Sequence, residues 1–225
     1  IAAELANEFY DTKAEGILSW VVEGDAERSV VRFIKRGSDG IEAALDAEFD
    51  DLLLPALKRP TDAHLSAYQR AQLIAREVAQ PHLTSPCAKN YDSAVLPDPA
   101  GDGLLLYALA TPDHVGDVII GGHHRFSMSA DGRTMRRADA LSQSCVTTNL
   151  IQLRASDGTD GVAIRATLSD IPLETHVYLS LLHKVALYVV TRDLKMWKVE
   201  NGAMHVLYDK PGELSTAMSH GHPQQ

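Results

Sequence analysis

Four side chains stand in a pattern that could do chemistry. His123 and Arg125 lie two apart in Gly121-Gly122-His123-His124-Arg125, and Glu174 and His176 lie two apart in Glu174-Thr175-His176. Residues two apart on a strand share a face, so each pair would present its groups together, with His124 turned the other way. If those strands neighbour each other, His123, Glu174 and His176 form a two-histidine, one-carboxylate set. Such a set suits zinc or iron with open coordination positions, the equipment of a metal-dependent hydrolase. The alternative is a group of sheet histidines bonded to backbone or exposed on a sheet face.

A second constellation is cationic. Arg125, Arg133, Arg136 and Arg137 belong to one strand-turn-strand stretch, turning at Asp131-Gly132. Guanidinium groups capture carboxylates and phosphates in bidentate fashion. His123, Arg125, Arg133 and Arg136 are therefore candidate ligand-binding residues for an anionic ligand or a protein partner. The alternative is a solvated strand face paired with acids from elsewhere in the chain. Asp-Gly is itself a strong hairpin signal, because Gly tolerates the positive φ of tight β-turns.

The two cysteines, Cys87 and Cys145, sit in polar, loop-like settings with no C-x-x-C spacing. They fit one disulfide closing a long loop, and with it an oxidising compartment such as the periplasm. A reactive thiol would need a neighbouring cation or helix N-terminus to lower its pKa, and no neighbour in sequence supplies one convincingly; two unrelated buried thiols are the other alternative. His220-Gly221-His222 resembles an adventitious metal-binding end. The sequence holds no G-x-S-x-G, H-E-x-x-H, G-x-x-x-x-G-K or G-x-G-x-x-G motif. It asks for no cofactor unless the histidine set takes zinc or iron.

The elements that must position these groups read as mostly strands. Ile17–Val22, Ser29–Arg36 and Ile41–Asp50 are strand-like, the last with a competing i, i+4 pattern. Ala63–Ala79 reads as a helix capped at Pro60-Thr61-Asp62 and stopped before Pro81. Residues 2–14 read as a short helix, and 81–102 as a long irregular connection pinned by Cys87. Leu104–Ala110, Val118–Ala130, Arg133–Ala140, Val162–Leu168, His176–Leu182 and Ala186–Thr191 follow as strands. Met196–Val199 and Met204–Tyr208 form a hairpin across Asn201-Gly202.

The 225 residues carry 21 basic and 30 acidic side chains, a net charge of −9. That field opposes a general nucleic-acid or anionic-membrane surface, so no nucleic acid is expected as partner. No apolar run approaches the roughly 20 residues of a transmembrane helix. The chain opens Ile1-Ala2-Ala3 without Met, which is compatible with an export signal removed ahead of residue 1.

The segment from Cys87 to Leu207 resembles a group of bacterial exported proteins that carry no assigned activity. The matching features are G-G-H-x-R at 121–125, S-A-D-G at 129–132, L-S-x-S-C at 141–145 and E-T-H-V-Y at 174–178. The resemblance implies export and a disulfide. The strand-turn-strand at 125–137 is also similar to the PepSY-type hairpin of bacterial periplasmic inhibitor modules.

Together these readings predict an α+β fold, a predominantly antiparallel sheet packed against one or two helices. Residues 1–208 are expected to form a single domain, or two packed lobes at 1–80 and 81–208, with a flexible tail at 209–225. The expected function is a periplasmic or secreted, non-enzymatic module that binds a partner or ligand through the 121–137 hairpin face. The alternative is the metal-dependent hydrolase built on His123, Glu174 and His176.

Overall fold

Strands dominate because β-branched and aromatic residues recur in short runs between glycine turns. A computed structural model describes residues 16–25, 27–38, 40–50, 55–83, 87–157 and 161–209. The helix expected at 2–14 and the tail expected beyond 209 lie outside those residues. Among the described residues strands hold 48% and helices 18%, so the class is α+β and sheet-dominated. The chain divides into two units, one built from 1–82, 93–106 and 126–138, the other from 83–92, 107–125 and 139–225.

The first unit opens with a meander of β1 (Ile17–Gly24), β2 (Arg28–Gly37), β3 (Gly40–Asp50) and β4 (Ala56–Lys58), paired in that order. The ambiguous stretch from Ile41 is thus a strand, pairing antiparallel with β2 from Gly37↔Gly40 to Arg28↔Asp50. Both faces of this sheet are covered. Val31, Phe33, Leu45 and Ala47 form one buried cluster, and Val21, Ile34 and Ala43 form another with Leu65 and Leu73. Leu73 belongs to α1 (Ala67–Ala79), which begins later than Pro60-Thr61-Asp62 suggests. Ser66 is the N-cap, accepting from the Gln69 amide while Gln69 returns a bond to the Ser66 amide. Asp62 instead accepts from the His64 amide in a local turn.

The connection expected to be irregular from 81 to 102 contains a strand, β5 (Asn90–Pro97). It is an edge of the sheet β5-β6-β8-β9, completed by β6 (Leu104–Thr111), β8 (His124–Met128) and β9 (Met135–Ala140). The first unit contains residues 93–97, 104–106, 126–128 and 135–138 of these strands. The turn between β8 and β9 is packed. Gly132, at φ +73°, is buried, and a Cβ there would stand 2.3 Å from the Ala71 carbonyl oxygen of α1.

The second unit contains β7 (Asp117–Ile119) paired with β10 (Thr147–Asn149), and the sheet β11-β12-β13-β14. Those strands are β11 (Gly161–Arg165), β12 (Ala186–Val190), β13 (Met196–Glu200) and β14 (Ala203–Tyr208). The Asn201-Gly202 hairpin forms as its sequence predicts, with both residues at positive φ. Several features depart from expectation. The strand expected at Val118–Ala130 is broken, β7 ending at Ile119 and β8 beginning at His124 in another sheet. β11 and β12 pair in parallel within the otherwise antiparallel sheet, which requires a β-helix-β crossover. The crossover helix, α3 (Glu174–His183), occupies the stretch read as the strand His176–Leu182.

The buried residues of α3, namely Thr175, His176, Leu179 and Ser180, explain the helix. They recur at i, i+1, i+4 and i+5, a helical stripe, whereas β-branched Thr175 and Val177 suggest a strand locally. Lys184 closes the helix in the left-handed conformation (φ 49°). With the additional helix α2 (Leu150–Asp157), α3 covers a core that includes Val162, Ile164, Leu187, Val189 and Val199.

Candidate functional site

Three of the four resemblance motifs meet in the second unit. Gly121-Gly122 allows the chain to pass close to the 141–145 segment: a Cβ on Gly121 would lie 1.9 Å from the Ser144 carbonyl oxygen, and Gly122 holds φ +78°. The Gly122 amide donates to Ser142 Oγ at 2.7 Å, and the Leu141 amide donates to the His123 carbonyl at 2.9 Å. Cys145, at the end of that segment, is bonded to Cys87, with a Cα–Cα distance of 5.2 Å. The disulfide therefore pins the strand of backbone that brackets His123.

His123 is 2% exposed. Its Nδ1 accepts from the Ala110 amide at 3.0 Å, so the neutral ring carries its proton on Nε2. That Nε2 is buried with no hydrogen-bond partner among the described residues. His176, the third residue of α3, makes a matching bond: its Nδ1 accepts from the Leu173 amide at 2.9 Å, as a capping side chain does. Burial pushes both imidazoles down to about 4, and a charge on His123 would further oppose one on His176. Burial also lowers His124, whose ring meets Tyr91 edge-on with centroids 6.2 Å apart.

Arg125 sits among three oxygen groups. Its Nη1 donates to Glu174 Oε1 at 2.6 Å and its Nη2 to Asp139 Oδ2 at 3.2 Å. Tyr107 donates its hydroxyl to the same Glu174 oxygen at 2.8 Å. Burial alone would lower the Arg125 pKa, but its bonds to Glu174, Asp139 and Tyr107 outweigh it and hold the guanidinium above its ordinary value. Burial would likewise raise Glu174, yet its own backbone amide, Tyr107 and Arg125 keep it below the usual range. Burial and the Glu174 bond push Tyr107 up to about 12.

This placement joins the residues singled out in the sequence but changes their roles. His123, Glu174 and His176 gather in one unit, on a strand entrance and a helix rather than on two neighbouring strands. Glu174 is taken by Arg125 and Tyr107. Among the described residues, no group of three or more His, Cys, Asp or Glu side chains is placed to hold a metal ion. The cavity beside His176, also lined by Gly121, Ser142, Ser144 and Thr167, has a volume of about 20 Å³. That is room for a water and little else.

Arg133 and Arg136 belong to the first unit. Arg136 Nη1 bonds Asp102 Oδ1 at 2.9 Å, and Arg133 Nε lies 3.8 Å from Asp131 Oδ2. Both pairs are exposed, unlike the Arg125 cluster. Tyr107, Asp139 and Ser142 complete the site without having been predicted. Tyr107 hides inside the apolar run Leu104–Leu109, and Asp139 among the hairpin's arginines. Only the pairing of distant segments brings them into reach.

No helix of the described residues is long and apolar enough to cross a membrane. No family model matches the chain, and no curated protein matches it. Among solved structures, the Bacillus megaterium YpeB C-terminal domain matches at 13% identity, covering 63% of this chain and 64% of that one. The match, which spans less than two thirds of that domain's chain, has a TM-score of 0.20.

Proposed function

We propose that the chain is an exported, non-enzymatic binding module of bacterial type, whose polar cluster is architectural and whose recognition surface is the outward face of the β8–β9 hairpin. The observation that carries this reading is the engagement of Arg125 by Glu174 and Asp139, with Tyr107 on the same carboxylate. The groups best suited to chemistry hold each other and the backbone, beside a cavity too small for a substrate.

The exposed pairs at Arg133 and Arg136 differ in kind. Solvent-exposed ion pairs are worth roughly 0–1 kcal/mol, so a partner's carboxylate or phosphate can replace Asp131 or Asp102 at little expense. An acidic partner protein is the favoured occupant. The Cys87–Cys145 bridge and the motif resemblance support an oxidising compartment, periplasmic or secreted.

The test is a photoreactive side chain placed at position 133 or 136 of the chain exported to a bacterial periplasm. A discrete cross-linked adduct, diminished when the other arginine is changed to glutamate, supports the reading. No adduct, or one indifferent to that charge reversal, overturns it.

A further inference from the structure

In the second unit, β14 is the outer strand of its sheet, and its outward edge is bare. Among the described residues its strand pairing runs to β13 alone, and every residue from Ala203 to Leu207 is exposed. Met204 and Val206 register against Val199 and Trp197, so they continue the face of the sheet that carries the core. Yet they are 43% and 45% exposed. Leu181 of α3, also exposed, adjoins the hairpin turn: a Cβ on Gly202 would lie 3.7 Å from its Cδ2. Leu181, Met204 and Val206 thus form an uncovered apolar strip beside an open strand edge.

The other outer strands of the four-stranded sheets carry the devices that keep edges from pairing. β1 is bonded by Gln72 and Arg76 of α1. β4 is three residues long and ends on Lys58, which pairs with Glu48. β5 contains Asp92 and Pro97, β9 contains Arg136, Arg137 and Asp139, and β11 ends on Arg165. β14, Ala203-Met204-His205-Val206-Leu207-Tyr208, has no Lys, Arg, Asp, Glu or Pro, and its titratable side chains are His205 and Tyr208 alone. Its one irregularity, a register shift that skips Leu207, leaves 203–206 regular.

We infer that β14 pairs antiparallel with β14 of a second copy of this chain, giving a two-fold dimer with one continuous sheet. Charge favours that neighbour. Two chains of net charge −9 repel, so they meet best where neither presents excess acid, and 203–208 presents none. The ends of the strand carry both signs, Lys198–Glu200 at 2.8 Å before the turn and Lys195–Asp209 at 3.1 Å after Tyr208. Antiparallel pairing sets each end against the opposite end of the other copy, so every acid arrives beside a group that includes a base. With His205 at the two-fold axis, Met204 meets Val206 of the second copy and Val206 meets its Met204, apolar cross-strand pairs that stabilise a sheet. A six-residue strand is about 20 Å long, and pairing it buries less than the roughly 1,200 Å² of a standard interface. The dimer is therefore weak and concentration-dependent. This inference does not rest on the function proposed for the β8–β9 hairpin.

The experiment is sedimentation velocity of the 225-residue chain with its disulfide intact, at concentrations from about 1 to 500 µM, the range in which a small interface associates. The expected result is a reversible monomer–dimer equilibrium. Val206→Lys, an exposed change that brings like charges together across the strand pair, should raise the dissociation constant by about tenfold or more. Arg136→Glu should leave it unchanged. Because both cysteines are bridged, Val206→Cys introduces a single thiol, which a short bismaleimide should link into a covalent dimer. Ala163→Cys, exposed on the opposite edge strand β11, should not be linked. A monomer at every concentration, a dimer that Val206→Lys leaves at wild-type strength, assembly beyond two copies, or equal linking through position 163 would overturn the inference.

Discussion

Arg125 Nη1 stands 2.6 Å from Glu174 Oε1, joining the G-G-H-x-R strand to the first turn of α3. Two motifs about fifty residues apart are tied by an ion pair that Tyr107 and Asp139 complete. Because the pair is half-exposed, it falls between surface and buried salt bridges. Glu174→Gln and Arg125→Met should each destabilise the chain by about 1–3 kcal/mol. Denaturant unfolding of both single variants and the double variant should give a coupling of comparable sign, and additive losses would show that the pair is not a unit.

The buried histidines set an acid limit. Their folded pKa values, about 4, lie below the 6.5 of an unhindered imidazole. Between those values the unfolded chain takes up protons that the folded chain refuses, so stability should fall as pH drops from 6.5 through 4. Above 6.5 these groups contribute no pH dependence. Each unit of depression corresponds to about 1.4 kcal/mol at full protonation. Urea titrations from pH 7 to pH 4 should show the loss, and His176→Asn should remove the share of it that His176 contributes while leaving that of His123.

Removing the Cys87–Cys145 bridge by a double change to serine should cost about 4 kcal/mol for a loop of 58 residues. The same variant should lose hydrogen-exchange protection at Gly122 and Leu141, whose amides bond within the bracket around His123. Global loss without that local signature would mean that the disulfide acts only on the unfolded chain.

Gly132→Ala combines a positive φ with a Cβ 2.3 Å from the Ala71 carbonyl oxygen, so it should destabilise by about 2–4 kcal/mol. Gly101→Ala, with nothing within 4 Å and no positive φ, should be close to neutral. Thermal unfolding of the two variants distinguishes a packed hairpin turn from a free one.

Sequence patterning revealed what short-range physics decides. The meander from Ile17 to Asp50 and both Gly-centred hairpins followed from β-branched runs and turn residues. It failed where tertiary context decides. Glu174–His183 carries strand-favouring Thr175 and Val177, yet the parallel pairing of β11 with β12 requires a crossover, and burial of Thr175, His176, Leu179 and Ser180 supplies the helical period. Ser66 rather than Asp62 caps α1 because Gln69 completes the reciprocal bond. The interest of His123, Glu174 and His176 was legible from their two-residue spacings, although Glu174 and His176 lie on a helix and not on a neighbouring strand. Their occupation by Ala110, Leu173, Arg125 and Tyr107 was not, since each partner comes from the backbone or a distant segment.

The most direct test of an architectural cluster is the metal content of the untagged 225-residue chain after zinc incubation and desalting. A wild-type truncation after Tyr208 serves to remove any contribution from His220 and His222. The account predicts no zinc retained by the truncated chain, and no change on His123→Ala. Stoichiometric zinc that survives truncation and disappears with His123→Ala would contradict it.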